Sequence, residues 1–129
     1  MFNNEQKIRK ISAKLSGEQI THIKHFIKGA VYSFCANNLA AEQDGTSQWF
    51  GVSLLFGGKN YYWKEPLIEL YDYYINAGKS SDTAKNMAGR DVGHLLKQVL
   101  QEDDRTYDIE NKQRRFSTKM YKCINFNDK

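Results

Sequence analysis

Asp91-Val92-Gly93-His94-Leu95-Leu96-Lys97-Gln98-Val99-Leu100-Gln101 divides cleanly into two faces. Val92, Leu95, Leu96 and Val99 fall at i, i+3, i+4 and i+7, the spacing that stacks side chains on one side of a helix and turns them inward. Arg90, His94, Lys97, Gln98 and Gln101 fall at i, i+4, i+7, i+8 and i+11, so a donor-rich ridge with no carboxylate on it runs along the opposite side. The acids Glu102, Asp103 and Asp104 arrive only at the C-terminal end, where they oppose the helix macrodipole.

Downstream, Tyr107 and Ile109 alternate with polar residues, as do Phe116 and Thr118 and then Tyr121 and Cys123. Period-two alternation on both sides of Glu110 to Arg115 predicts a β-hairpin. Its tip, Asn111-Lys112-Gln113-Arg114-Arg115, is strongly basic. Upstream, Ser81-Asp82 reads as the cap of a short helix through Met87-Ala88, closed by Gly89. Before that, Pro66 suits a first helical turn, and Leu67, Leu70, Tyr71, Tyr74 and Ile75 form a helical stripe that stops before Gly78. Trp49-Phe50-Gly51-Val52 reads as a short strand, and Ser53-Leu54-Leu55-Phe56 as a single helical turn ended by Gly57-Gly58.

The longest helix is predicted from a capping box, Ser16-Gly17-Glu18-Gln19, followed by Ile20, Ile23, Ile27, Ala30, Val31 and Phe34 on one face as far as about Asn37. Ile8, Ile11 and Leu15 suggest a short basic amphipathic helix ahead of it. The expected organisation is therefore a basic arm or short helix over 1–15, one domain over 16–126, and a tail over 127–129.

A chain of 129 residues with 40% hydrophobic and 13% aromatic residues is rich enough to fold as one domain without a metal or disulfide staple. Cys35 and Cys123 are far apart and in no CxxC arrangement, which suits a reducing compartment, although one long-range disulfide is compatible with the sequence. The apolar runs are too short to span a bilayer and the N-terminus has no apolar signal-peptide core, so the expected location is cytoplasmic. The net charge of +4 hides a segregation: Met1 to Lys28 carries six Lys/Arg against two acids, and Glu42 to Asp82 carries six acids against three lysines. Lys112, Arg114, Arg115, Lys119 and Lys122 then follow with no acid between them. Such asymmetry speaks about partners rather than fold.

The succession from Ser81 to Ile124 of short helix, Gly89 turn, the helix around Asp91 to Leu100, and the stretches Arg105-Thr106-Tyr107 and Lys119-Met120-Tyr121-Lys122 resembles a winged helix-turn-helix domain. The resemblance covers about a third of the chain closely, and Ser16 to Asn76 by element order alone. It implies an α+β, winged-helix-like fold with three or more helices, a short strand and a C-terminal hairpin. It also implies a non-catalytic, double-stranded DNA-binding function with an accessory or regulatory role, helix 91–101 lying in the major groove and hairpin 105–124 acting as the wing. Chemistry agrees: Arg and Lys chelate guanine edges, Gln pairs with adenine, and basic residues neutralise phosphates. Arg90, His94, Lys97, Gln98 and Gln101 are accordingly the expected groove residues, and Lys112, Gln113, Arg114 and Arg115 the expected phosphate contacts.

Two other readings stand beside this one. Nine of the seventeen aromatics lie within 49–74, and the consecutive Tyr61, Tyr62 and Trp63 are hard to bury together, as in a protein-interaction module or a homodimer packed through this block or the first helix. Glu65, Glu69, Asp72 and Asp82 cluster loosely near Lys64, the minimum for a small Mg²⁺-dependent nuclease, although one solvated helix face accounts for most of them. No cofactor is expected: Gly57-Gly58-Lys59 lacks the spacing of a phosphate loop, and His22 and His25, at i and i+3, have no neighbouring Cys/His pair to complete a zinc site.

Overall fold

The computed structural model describes residues 1–39, 47–57, 62–112 and 118–126. They form an α+β fold with four helices and one antiparallel hairpin: α1 (Gly17–Asn37), α2 (Val52–Phe56), α3 (Ile68–Asn76), α4 (Ser81–Glu102), β1 (Tyr107–Lys112) and β2 (Thr118–Cys123).

The capping box forms as expected: the Gln19 N–H donates to Ser16 Oγ at 3.1 Å, and the Ser16 N–H to Gln19 Oε1 at 2.9 Å. From that start α1 buries Ile23, Ile27, Val31 and Cys35. Its partner is α4, which also packs on α3, so α4 is the central element of the core.

Here the structure corrects the sequence reading. No turn separates a short helix from a second one at Gly89; α4 runs unbroken for 22 residues, capped by Ser80 rather than Ser81. A glycine inside a helix costs about 1 kcal/mol relative to alanine, but continuous burial of a helical face outweighs it. Ala84, Ala88, Val92, Leu95, Leu96 and Val99 supply that face, and Gly89 is itself buried. The helix-turn-helix element at Gly89 is therefore absent.

The hairpin is present in the register Tyr107↔Cys123, Ile109↔Tyr121 and Lys112↔Thr118, with β1 running on through Lys112 instead of ending before Glu110. Tyr107, Tyr121 and Cys123 turn into the core. Single β-bridges extend the hairpin on both edges, Phe2 against Tyr107 and Phe50 against Tyr121. Trp49 to Val52 is thus reduced from a strand to one bridge at Phe50, and Val52 already belongs to α2. The bridge requires Gly51: a Cβ there would sit 3.0 Å from the Lys119 carbonyl oxygen and 2.9 Å from Met120 Sδ.

The N-terminal arm is not a helix. Without regular secondary structure, it crosses the outer face of α4 and meets β1, where the Tyr107 N–H donates to Met1 O at 2.8 Å and the Asn3 N–H to Tyr107 O at 2.9 Å. The Met1 ammonium donates to the carbonyls of Leu100, Asp103 and Arg105. A positive charge thereby sits at the C-terminal end of α4 beside Asp103 and Asp104, which offsets their conflict with the macrodipole. Among the described residues, no helix is long and apolar enough to cross a membrane.

Burial within the aromatic block 49–74 is mixed. Phe50, Phe56 and Tyr74 are buried, and Trp63 is half-buried against Tyr71, ring centroids 5.7 Å apart. Tyr62 is exposed, stacked on Phe26 at 5.9 Å, and Tyr61 lies outside the described residues. Cys35 and Cys123 are free and buried, and burial pushes the Cys35 thiol up to about 11.

Candidate anion-binding cleft

The site is built on a pinned crossing. Asp91, 1% exposed in the middle of α4, accepts from the backbone N–H groups of Ser12 at 3.1 Å and Ala13 at 3.2 Å, and from the Tyr74 hydroxyl. One buried carboxylate thus ties the arm to α4 and α4 to α3, satisfied by three donors, as a buried carboxylate must be. Further along, Gln98 Nε2 donates to the Arg9 carbonyl at 2.8 Å, and Gln101 Oε1 lies 3.4 Å from the Phe2 N–H.

These contacts engage part of the expected groove-facing ridge. Gln98 is held by the arm, Gln101 is engaged by it, and Lys97 is only 9% exposed. His94 is half-buried, which leaves Arg90 as the exposed member with no such tie. The periodicity of α4 correctly separates two faces, but the arm, whose Ile8, Ile11 and Leu15 spacing does not produce a helix, contacts the second face at Gln98 and Gln101. Of the expected wing residues, Lys112 pairs with Thr118 in the hairpin, and Gln113, Arg114 and Arg115 lie outside the described residues.

The same crossing creates a different site. The arm, α2, α4 and β2 enclose a cleft of about 430 Å³ lined by Lys7, Arg9, Ser53, Arg90, His94, Lys97, Lys119 and Tyr121, with Val52, Gly89 and Gly93 between them. Gly89 and Gly93, one helical turn apart, carry no side chains and so leave space on the α4 wall between Arg90, His94 and Lys97. Gly51 lets β2 approach α2 closely enough to bring Lys119 to the rim.

Five of the lining side chains are lysine or arginine, and none is a carboxylate. Among the described residues, the Lys24–Glu102 ion pair, 2.7 Å, lies away from this cleft. Burial, then the facing Lys119 ammonium and Arg9, bring the Lys97 pKa down to about 8. Burial also lowers the His94 imidazole below its ordinary value; Asp91 pulls the other way, and Arg9, Arg90 and Lys97 add to the lowering. A cleft that destabilises the Lys97 ammonium, with further cations and hydroxyl and imidazole donors at hand, is complementary to an anion.

Lys7, Arg9, Ser53 and Lys119 are the members of this site that sequence reasoning missed. A signal existed in the basic excess of the first 28 residues and of the C-terminal third, but nothing local to residues 7, 53 or 119 shows that they meet. The acidic residues behave differently from a metal centre: Glu69 accepts from Gln19 Nε2 at 3.1 Å, and among the described residues no three His, Cys, Asp or Glu side chains gather in a metal-holding group. Comparison of the chain with protein-family models, with curated proteins and with solved structures finds no match.

Proposed function

We propose that this α+β chain is a non-catalytic DNA-binding protein that holds double-stranded DNA by its phosphates, with the basic cleft as the principal contact. The observation that carries the reading is the convergence of Lys7, Arg9, Arg90, Lys97 and Lys119 from three separate segments on one cleft lined by no carboxylate. Phosphate neutralisation supplies most non-specific affinity for DNA and needs no helix in a groove. In this reading α4 does not enter the major groove, because the arm lies across the face that would have to enter. Its contribution is Arg90, His94 and Lys97 in the cleft wall.

A fluorescence-anisotropy titration of a labelled duplex over a salt series tests this. With four to five phosphates neutralised, raising salt from about 50 to about 200 mM weakens binding by about 150- to 500-fold. Lys119→Gln lowers the salt slope by about one phosphate contact. Undetectable binding at the lowest salt, or affinity that ignores salt, refutes the proposal.

A further inference from the structure

The cleft differs from an open phosphate-binding surface in one respect: its central cation is recessed. Lys97 is 9% exposed and lies at the wall formed by α4, while Lys7 and Arg9 on the arm and Lys119 on β2 stand around it. A phosphodiester inside a strand is flanked by sugar on both sides and carries one charge, so it passes over such a recess without reaching the ammonium within. A terminal phosphate enters end-on, carries between 1.5 and 2 negative charges near neutral pH by the general behaviour of phosphomonoesters, about 1.7 on average, and offers three acceptor oxygens.

The donor set fits that group. Lys97, Lys119 and Arg9 supply charge, Ser53 on α2 supplies a hydroxyl donor, and His94 on α4 an imidazole donor. A dianion also removes more of the repulsion among the crowded cations than a diester does. The space, about 430 Å³, exceeds a phosphate alone and lies in the general range for small-ligand sites, about 300 to 1,000 Å³. It admits the sugar that bears the phosphate.

We propose that the cleft is a phosphomonoester site, with Lys97 at its floor and Arg9, Lys119, His94 and Ser53 around the terminal oxygens. The inference rests on the phosphate-binding reading above and narrows it from backbone contact to recognition of a terminal phosphate. That phosphate belongs either to a DNA end or to a free nucleotide, and the experiment separates the two.

The full-length chain is titrated with two duplexes of one sequence, one carrying 5′-phosphates and one 5′-hydroxyls, and by calorimetry with adenosine 5′-monophosphate and with adenosine. The 5′-phosphorylated duplex is expected to bind about tenfold or more tightly than the hydroxyl duplex. Lys97→Met is expected to abolish that preference, while Lys28→Gln, outside the cleft, leaves it in place. Should Lys97→Met fail to fold, Lys119→Gln at the rim serves the same purpose. Binding of adenosine 5′-monophosphate but not adenosine, with neither duplex retained, supports the site, assigns it to free nucleotides and removes the DNA reading. Equal affinity for the two duplexes overturns the inference and leaves the DNA reading standing. A preference that survives in the Lys97 and Lys119 variants overturns it as well, and so does failure of all four ligands to bind.

Discussion

Lys97→Met keeps the apolar stem of a side chain that is 9% exposed and removes its ammonium, so it isolates the energetic cost of placing a cation in the cleft. The fall in pKa from 10.5 to about 8, at about 1.4 kcal/mol per unit, sets an upper value of about 3 kcal/mol. Solvent in the open cleft screens part of this, and about 2 kcal/mol is the expected gain in stability for the variant at pH 7. The sign follows from proton linkage. Because the folded pKa lies below the unfolded one, the unfolded chain binds more protons between pH 8 and 10.5. The wild-type stability contributed by this group therefore rises across that window, and the penalty present below pH 8 is relieved.

Urea unfolding of both proteins at pH 7 and at pH 10.5 measures the effect. The variant leads by about 2 kcal/mol at the lower pH, and the gap nearly closes at the higher one. Tyrosines and cysteines that titrate in the same range are common to both chains and cancel in the difference. Improved apolar packing alone would give the same gain at both pH values. A variant equal to or less stable than wild type at pH 7, or a gap unchanged by pH, refutes the claim that Lys97 is a strained cation. Combined with weaker phosphate binding, greater stability would mark Lys97 as a residue kept for binding at the expense of the fold.

Asp91→Ala strands the Tyr74 hydroxyl and the Ser12 and Ala13 amides; it is expected to cost about 3 to 5 kcal/mol, whereas Asp91→Asn costs less and shows as faster hydrogen exchange at those two amides. Gly51→Ala places a Cβ 3.0 Å from the Lys119 carbonyl oxygen; Met120 can swing away but the backbone cannot, so thermal unfolding should report a loss of about 1 to 3 kcal/mol. Tyr121 is held up to about 12 by burial, so its contribution to stability is complete below pH 10 and is lost as pH rises through 12, which an alkaline unfolding series on Tyr121→Phe against wild type will show. Cys35, buried and pushed up to about 11, is expected to resist a thiol reagent at pH 8 in the folded chain and to react fully in urea.

Features that rest on local interactions were legible. The Ser16–Gln19 capping box, the apolar stripe of α1 and the alternation of β1 and β2 each depend on side chains a few residues apart, and each forms. The continuity of α4 was legible too, had the buried spacing been followed through Gly89: Ala84, Ala88, Val92, Leu95 and Val99 make one stripe, and glycine is a weak helix stop when that stripe is buried on both sides of it. Tyr62 and Trp63 show the reverse: adjacent aromatics look hard to bury, and the division into one exposed and one half-buried ring is set by Phe26 and Tyr71, distant in sequence.

Sequence by itself determined the core faces of α1, α3 and α4, the presence of the hairpin and the fact that positive charge gathers at the two ends of the chain. Tertiary structure alone decided that those two ends meet. The Ile8, Ile11 and Leu15 spacing of the arm does not announce where it will lie; Asp91, a single buried carboxylate, holds it across α4 by two backbone amides. That crossing turns a ridge read as a groove-facing surface into one wall of a cleft, and it places Lys7 and Arg9 opposite Lys119. Helical spacing reports which residues share a face, while what covers that face is set by contacts among residues far apart in the chain.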